Sequence, residues 1–324
     1  MMLAVVGAGY WGKNHVRIAL DLERSGLLDG VMVCDADPTR LRPWEGHAKT
    51  TTDLRDVERG ADAAVVATPA DTHVMIANSL LAAGLHVLVE KPMAIHGGDA
   101  RAMVALARDR NLVLMPGHIF RYHPAIIALQ ARMAQGLLGD IRFLATIRTS
   151  RTVPRPDVGV LYSLGIHEAD LYPYLLGVDY PERAHAETVS LSRPEIDVVA
   201  SLFLGFRGCS GFALESWIGP GTKDRRLTVL GTKSSAEIDY GNLEAMTVFP
   251  SGTSDGSSRG DDKAAEVVAL SGREPLRSEV EDFLKAVKTG GRSPAIADAE
   301  SGCRAVELVE ALKFTGSFAL PGRT

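Results

Sequence analysis

Gly7-Ala8-Gly9-Tyr10-Trp11-Gly12 follows directly on the apolar run Leu3 to Val6. A glycine-rich turn between a buried strand and a helix lets the backbone approach a pyrophosphate, whose charge then rests on the open N–H groups of the helix. The surroundings keep to that order. Asn14 to Leu20 carries an amphipathic helical pattern, Val31 to Cys34 is a second apolar run, and Asp35 ends it, 28 residues after Gly7. A carboxylate at the tip of the second strand accepts hydrogen bonds from the adenosine ribose hydroxyls and repels a 2′-phosphate. The stretch therefore reads as a dinucleotide site formed by Gly7, Gly9, Tyr10, Trp11, Gly12 and Asp35, with NAD favoured over NADP. The alternative is a structural glycine turn beside a solvated aspartate.

Working outward, short apolar or β-branched runs recur at Ala63 to Ala67, His86 to Val89 and Leu112 to Met115, with helical patterns near 72–83 and 97–110 between them. Such alternation predicts a doubly wound parallel sheet. Strands covered on both faces are continuously apolar, as Ala64-Val65-Val66-Ala67 and Val87-Leu88-Val89 are. After about Pro116 the pattern changes. A helix carrying Ile126, Ile127, Leu129 and Met133 leads through Gly136 and Gly139 into Ile141 to Thr149, and alternating segments follow at Asp197 to Phe203, Ser210 to Trp217 and Arg226 to Leu230. These predict a mostly antiparallel open sheet with one covered face. The fold class is thus α/β: an N-terminal Rossmann domain over 1–117 and a C-terminal α+β domain over 118–324 for substrate binding and oligomerisation. Two closing helices are expected at Glu279 to Val287 and Ala299 to Lys313, the last free to pack back on the first domain. Ser251 to Asp262, rich in Gly, Ser and Asp, reads as a mobile surface loop.

With 324 residues, two cores are expected rather than one, and 46 % apolar residues suffice to fill them. A net charge of −5 argues against general nucleic-acid or membrane-surface binding. Neither a charged leader with an apolar core nor a bilayer-spanning run is evident, so the expected location is the cytoplasm. Cys34, Cys209 and Cys303 are odd in number and far apart, which fits three reduced, buried thiols, and no metal site is expected.

Glu90-Lys91-Pro92 continues the strand at 86–89. Ligands of open α/β sheets bind beyond the carboxyl ends of the strands, which puts Lys91 at the cofactor crevice, its backbone held extended by Pro92. An ammonium beside a nicotinamide can help move the proton of an alcohol undergoing oxidation; the alternative is a snorkelling surface lysine. The strand at 63–67 ends likewise in Thr68-Pro69, which would shape the turn under the nicotinamide ribose. His73 then either faces the cofactor or packs a helix. Gly117-His118-Ile119-Phe120-Arg121-Tyr122-His123-Pro124 lies at the junction of the two expected domains, where ligand sites are favoured. Arg121, Tyr122 and His123 are its substrate-binding candidates. In Ser163-Leu164-Gly165-Ile166-His167-Glu168-Ala169-Asp170, a helix starting near Ser163 puts 163 and 167 on one face and Asp170 one turn beyond His167, where a carboxylate can orient the imidazole. His167 is the general-base candidate, with Ser163 and Asp170 beside it. Arg148, Arg151 and Arg155 follow the first strand of the second domain. Guanidinium forks suit a diphosphate, so this run of three is read as a substrate clamp, with Arg148 and Arg151 its substrate-binding candidates; a solvated loop or a subunit contact is the alternative.

Gly7-x-Gly9-x-x-Gly12, Ala67-Thr68-Pro69 with His73, Glu90-Lys91-Pro92, Gly117-His118-x-x-Arg121-Tyr122-x-Pro124 and Gly165-x-His167-x-x-Asp170 together resemble the glucose-fructose oxidoreductase/inositol dehydrogenase/MocA family, over nearly the whole chain. The resemblance implies a Rossmann domain, a second domain on a large open sheet, dimers or tetramers, and oxidation or reduction of a sugar or cyclitol hydroxyl. It makes Lys91 the catalytic lysine and His167 the catalytic histidine. Many members carry an aspartate four residues before that histidine; here the position is Ser163, which leaves a Lys/Asp/His constellation incomplete. Gly9-Tyr10-Trp11-Gly12-Lys13-Asn14 and Tyr122-His123-Pro124 look most like the nucleotide-sugar branch, which acts on UDP-N-acetylglucosamine or its uronate at carbon 3. The expected function is NAD-dependent oxidation of a ring hydroxyl of an activated amino sugar. A dehydrogenase of free sugars or cyclitols is one alternative, and an NAD-bound sensor or scaffold, suggested by Ser163, is another.

Overall fold

The computed structural model describes residues 1–221, 223–250, 265–290 and 296–320. The loop expected at 251–262 lies outside the described residues. The chain forms two compact units, Met1–Ile119 with Leu276–Val306, and Phe120–Pro275 with Glu307–Thr324.

The first unit is built on six parallel strands, β1 (Met2–Val6), β2 (Gly30–Cys34), β3 (Lys49–Thr51), β4 (Ala63–Val66), β5 (His86–Glu90) and β6 (Leu114–Gly117), in the order β3-β2-β1-β4-β5-β6. The helices between them include α1 (Gly12–Arg24), α2 (Leu54–Gly60), α3 (His73–Ala82) and α4 (Gly97–Asp109). Leu3, Val5, Val33, Val65 and Leu88 are wholly buried, as strands covered on both faces require. Strand order reverses between β1 and β4, and the turn after β1 therefore opens at a topological switch point. β3 was not among the expected strands. It is a three-residue edge of Lys and Thr, exposed or half-buried throughout, and lacks the apolar run by which the others are read.

In the second unit α5 (Pro124–Ala134) leads into a nine-stranded sheet of β7 (Ile141–Thr149), β8 (Arg183–Ser190), β9 (Asp197–Phe206), β10 (Cys209–Ser216), β11 (Asp224–Gly231), β12 (Ser234–Asp239), β13 (Ala245–Pro250), β14 (Glu266–Ala269) and β15 (Ser317–Ala319). The order is β14-β13-β12-β11-β7-β10-β9-β8-β15, antiparallel except for the pair β7 and β10. α6 (Ile166–Leu176) is almost entirely buried, and Tyr172 lies so close to Gly211 of β10 that a Cβ there would come within 2.6 Å of its ring. Tyr172 donates its hydroxyl to the Phe212 carbonyl, which ties helix to sheet. On other strands of this sheet Phe203, Phe249 and Val267 are exposed. The closing helices are α7 (Pro275–Lys288) and α8 (Ala299–Thr315). Cys34, Cys209 and Cys303 are all buried, and none forms a disulfide among the described residues. Among the described residues no helix is long and apolar enough to cross a membrane.

Candidate active site

In the first unit the glycine turn is shaped by contacts that only glycine permits. Gly7 has φ +94°, and a Cβ there would lie 2.7 Å from the Ala67 carbonyl; at Gly12 a Cβ would lie 1.7 Å from the Gly7 carbonyl. Gly9 differs. The nearest atom to its would-be Cβ is Arg40 Nη1 at 3.7 Å, so the fold leaves open the side from which a pyrophosphate can approach the backbone. Among the described residues no side chain caps α1, and its first turn carries no acid, which leaves the N-terminal dipole to an outside anion. Asp35 is buried at the tip of β2, where its Oδ2 accepts from the Ala8 amide at 2.7 Å and its Oδ1 from the Asp37 amide at 2.9 Å. Ala8, Lys13, Asn14, Arg40, Trp44 and His47 help line a cleft of about 950 Å³ beside this turn. Tyr10 is exposed, with its ring edge-on to Trp11. The donor set and the open face at Gly9 fit a dinucleotide, with Asp35 keeping lone pairs for ribose hydroxyls.

Lys91 is buried just beyond β5, and the Lys91–Pro92 peptide is cis. His73 opens α3 with Nδ1 2.8 Å from the Pro92 carbonyl and Nε2 2.9 Å from the Thr68 carbonyl. Both partners are carbonyl oxygens, which accept. His73 thereby ties the turn after β4, with Thr68 and Pro69, to the turn after β5. Glu90 is buried, its Oε1 2.8 Å from His15 Nε2 of α1 and its Oε2 accepting from the Lys91 amide at 3.2 Å. Burial opposes ionisation of Glu90, but the His15 hydrogen bond and the charges of His15, Lys91 and His73 outweigh it and hold the carboxyl below its usual range.

In the second unit His167 is buried in the first turn of α6, with the Phe120 ring edge-on to it at 4.6 Å between centroids. The helix does not begin at Ser163. Leu161–Gly165 winds as a π-turn before α6, so the regular four-residue spacing expected between Ser163 and His167 does not hold there. Ser163 is buried within that turn. Asp170, expected to orient the imidazole, gives its carboxylate to Arg121, which donates through Nε at 2.9 Å and Nη2 at 2.5 Å and stacks over Tyr174 at 4.3 Å. Tyr122 is buried beside it in sequence. His123 is a helix cap: its Nδ1 accepts from the Ala125 amide, and its Nε2 lies 3.3 Å from the Tyr240 carbonyl, so both ring nitrogens serve the fold.

The three arginines read as a clamp part company. Arg148 points inward, donating from Nη2 to Glu168 at 2.8 Å, with Nη1 3.8 Å from Glu215 and its guanidinium over Phe120 at 4.4 Å and Tyr240 at 5.3 Å. Burial would weaken its charge, but Glu168 and Glu215, both fully buried, raise its pKa instead. That corrects the reading of Arg148 as a phosphate fork: its charge is engaged within the unit. Arg155 is paired with Asp157. Arg151 is exposed and has no ion-pair partner among the described residues.

Sequence reading missed His15, Phe120, Glu215, Tyr240 and Glu279. A polar residue set in an apolar helical stripe was the available signal for His15, beside Val16 and Ala19, and for Glu279, between Leu276 and Val280.

Residues 1–118 match a family model described as an oxidoreductase family with an NAD-binding Rossmann fold, and residues 126–237 match the GFO/IDH/MocA C-terminal domain. UDP-N-acetylglucosamine 3-dehydrogenase of Acidithiobacillus ferrooxidans is 28 % identical over 307 residues, 94 % of this chain and 93 % of that protein. A solved structure of that dehydrogenase, GnnA from A. ferrooxidans, matches with a TM-score of 0.81 at 26 % identity, covering 95 % of each chain. Inositol 2-dehydrogenase of Rhizobium meliloti is 23 % identical over 301 residues, 88 % of each protein.

Proposed function

Because the chain belongs to the glucose-fructose oxidoreductase/inositol dehydrogenase/MocA family and is an NAD-binding dehydrogenase, we propose that it oxidises the carbon-3 hydroxyl of a nucleotide-activated amino sugar. The observation that carries this substrate is the likeness to a UDP-N-acetylglucosamine 3-dehydrogenase along 94 % of the chain. Exposed Arg151, with no ion-pair partner among the described residues, supports it as a side chain available to a diphosphate.

The reaction removes a hydride from the carbinol carbon and a proton from its hydroxyl, giving a ketone. NAD supplies the hydride acceptor when bound to the turn at Gly7 to Gly12, with Asp35 on its ribose. His167 takes the hydroxyl proton, and the edge of Phe120 fixes its ring. Lys91 donates to the substrate oxygen, steadied from below by Glu90, whose Oε2 accepts the lysine's own amide. Ser163 cannot relay a proton as a carboxylate would, which leaves His167 to pass it on without that acid. The arrangement of subunits in this reading is a homodimer or homotetramer, and the exposed Phe203, Phe249 and Val267 of the large sheet give such an assembly apolar surface to cover.

A second reading, a free sugar or cyclitol as substrate, is favoured by the likeness to inositol 2-dehydrogenase and by the internal engagement of Arg148 and Arg155, which leaves one arginine of the three for a diphosphate. Stoichiometric protein and NAD mixed with UDP-N-acetylglucosamine, its uronate or myo-inositol separate the two by absorbance of reduced nicotinamide. A rise with a UDP-sugar alone is expected; a rise with inositol alone transfers the protein to the second reading.

A further inference from the structure

Glu279 of α7 belongs to the first unit, is 0 % exposed, and has no hydrogen-bond partner for either carboxylate oxygen among the described residues. The charged group that acts on it is Glu90. We propose that Glu279 is a positioning residue that holds a proton beside Glu90, so that Glu90 alone carries the negative charge facing Lys91.

Both carboxyls are buried in the first unit, and the stabilising groups lie with Glu90. Glu90 is met by His15 from α1, by His73 from α3, and by the amide and ammonium of Lys91 at the end of β5. Glu279 meets none of them by hydrogen bond. Two like charges in one dry site cannot both be sustained, and the proton settles on the carboxyl that lacks compensation. Burial first, and the Glu90 charge second, push Glu279 well above the usual carboxylate range. A second anion there would strengthen the hold of the cluster on the Lys91 proton; a neutral acid fills the same volume and leaves that hold set by Glu90 alone. This consequence for Lys91 rests on its role in the function proposed above.

Glu279→Gln tests the proton without using turnover. Between the ordinary glutamate range and its raised value, the folded protein binds one proton more than the unfolded chain, so wild-type stability falls as pH rises through that window. The amide of the variant removes this slope, its own packing cost being the same at every pH. The Tm of E279Q minus that of wild type should therefore increase by about 2 °C or more from about pH 5 to about pH 8. A difference that stays constant or shrinks overturns the proposal. Should E279Q fail to fold, wild-type protein labelled with ¹³C at the glutamate carboxyls supplies the answer: one resonance stays at its protonated position at about pH 7, and its absence overturns the proposal. Lys91→Met distinguishes this from the functional reading. Loss of turnover in K91M without proton linkage at Glu279 defeats the present inference alone, whereas linkage with a fully active K91M defeats the role of Lys91 alone.

Discussion

The Ala8 amide donates to Oδ2 of Asp35 at 2.7 Å, so the carboxylate at the tip of β2 fastens the glycine turn, and in the proposed function it also takes the cofactor ribose. Asp35→Ala removes both contributions. Each hydrogen bond to a charged group contributes about 1.5–3 kcal/mol, and NAD affinity measured by fluorescence titration should fall about tenfold or more. NADP, relieved of a repelling carboxylate within reach of Arg40, should lose less or gain. Equal losses for the two cofactors would remove Asp35 from the ribose.

Arg151 and Arg155 lie four residues apart and differ in what already occupies them. Arg155 donates to both carboxylate oxygens of Asp157, while Arg151 is exposed. Arg151→Ala should raise KM for a UDP-sugar by about tenfold or more, the scale of one charge-assisted contact, and leave the affinity for NAD alone. Arg155→Ala should change KM little, since its guanidinium is already committed to the carboxylate of Asp157 and offers no free cation. Matching effects in both variants would point to a loop defect instead of a diphosphate contact.

Replacing the inward guanidinium of Arg148 with Met leaves Glu168 and Glu215, each 0 % exposed, without their shared cation. Breaking a buried pair from one side costs about 3–5 kcal/mol. R148M should therefore unfold at markedly lower denaturant than wild type. The double change of Arg148 and Glu168 to apolar residues should recover part of the loss.

His123 is held neutral by burial, against the weaker pull of the Tyr240 carbonyl, and its pKa lies below the usual histidine value. The unfolded chain takes up a proton near pH ~6.5 that the folded protein refuses until lower pH. Stability from this site is thus complete above that value and declines as pH falls toward the lowered folded pKa. Asn can cap α5 without titrating. The Tm of wild type relative to H123N should drop between about pH 7 and about pH 5; parallel curves would mean that His123 takes up its proton as readily in the fold as in the unfolded chain.

The glycine turn was legible because Gly7 and Gly12 answer a steric demand made within a few residues by the chain's own backbone. The six-residue spacing carries that demand in one dimension. β7 was legible to the residue for a similar reason, since the alternation in Ile141–Thr149 records which side faces the core. Arg148 was not. Its neighbours Glu168 and Glu215 come from α6 and β10, and nothing near position 148 distinguishes an arginine bound inward from one reaching for phosphate. His123 misled because a capping imidazole and a ligand-binding one are the same residue before a proline. The π-turn at Leu161–Gly165 escaped because its sequence is as helical as the helix it precedes.

The nucleotide-binding unit is also discontinuous along the chain. It is completed by Leu276–Val306, whose Gly302 packs so tightly that a Cβ would come within 2.7 Å of Pro116 and 2.8 Å of Met93. A fragment ending at Ile119 would hold every residue of the cofactor fingerprint and still lack α7, with Phe283 and Glu279 from its core. In evolution and in the laboratory, this half of the protein is therefore not a portable cassette. An exchange of catalytic domains between relatives must carry two separate stretches of gene, and a recombination joint placed at the apparent boundary alone would sever a finished core.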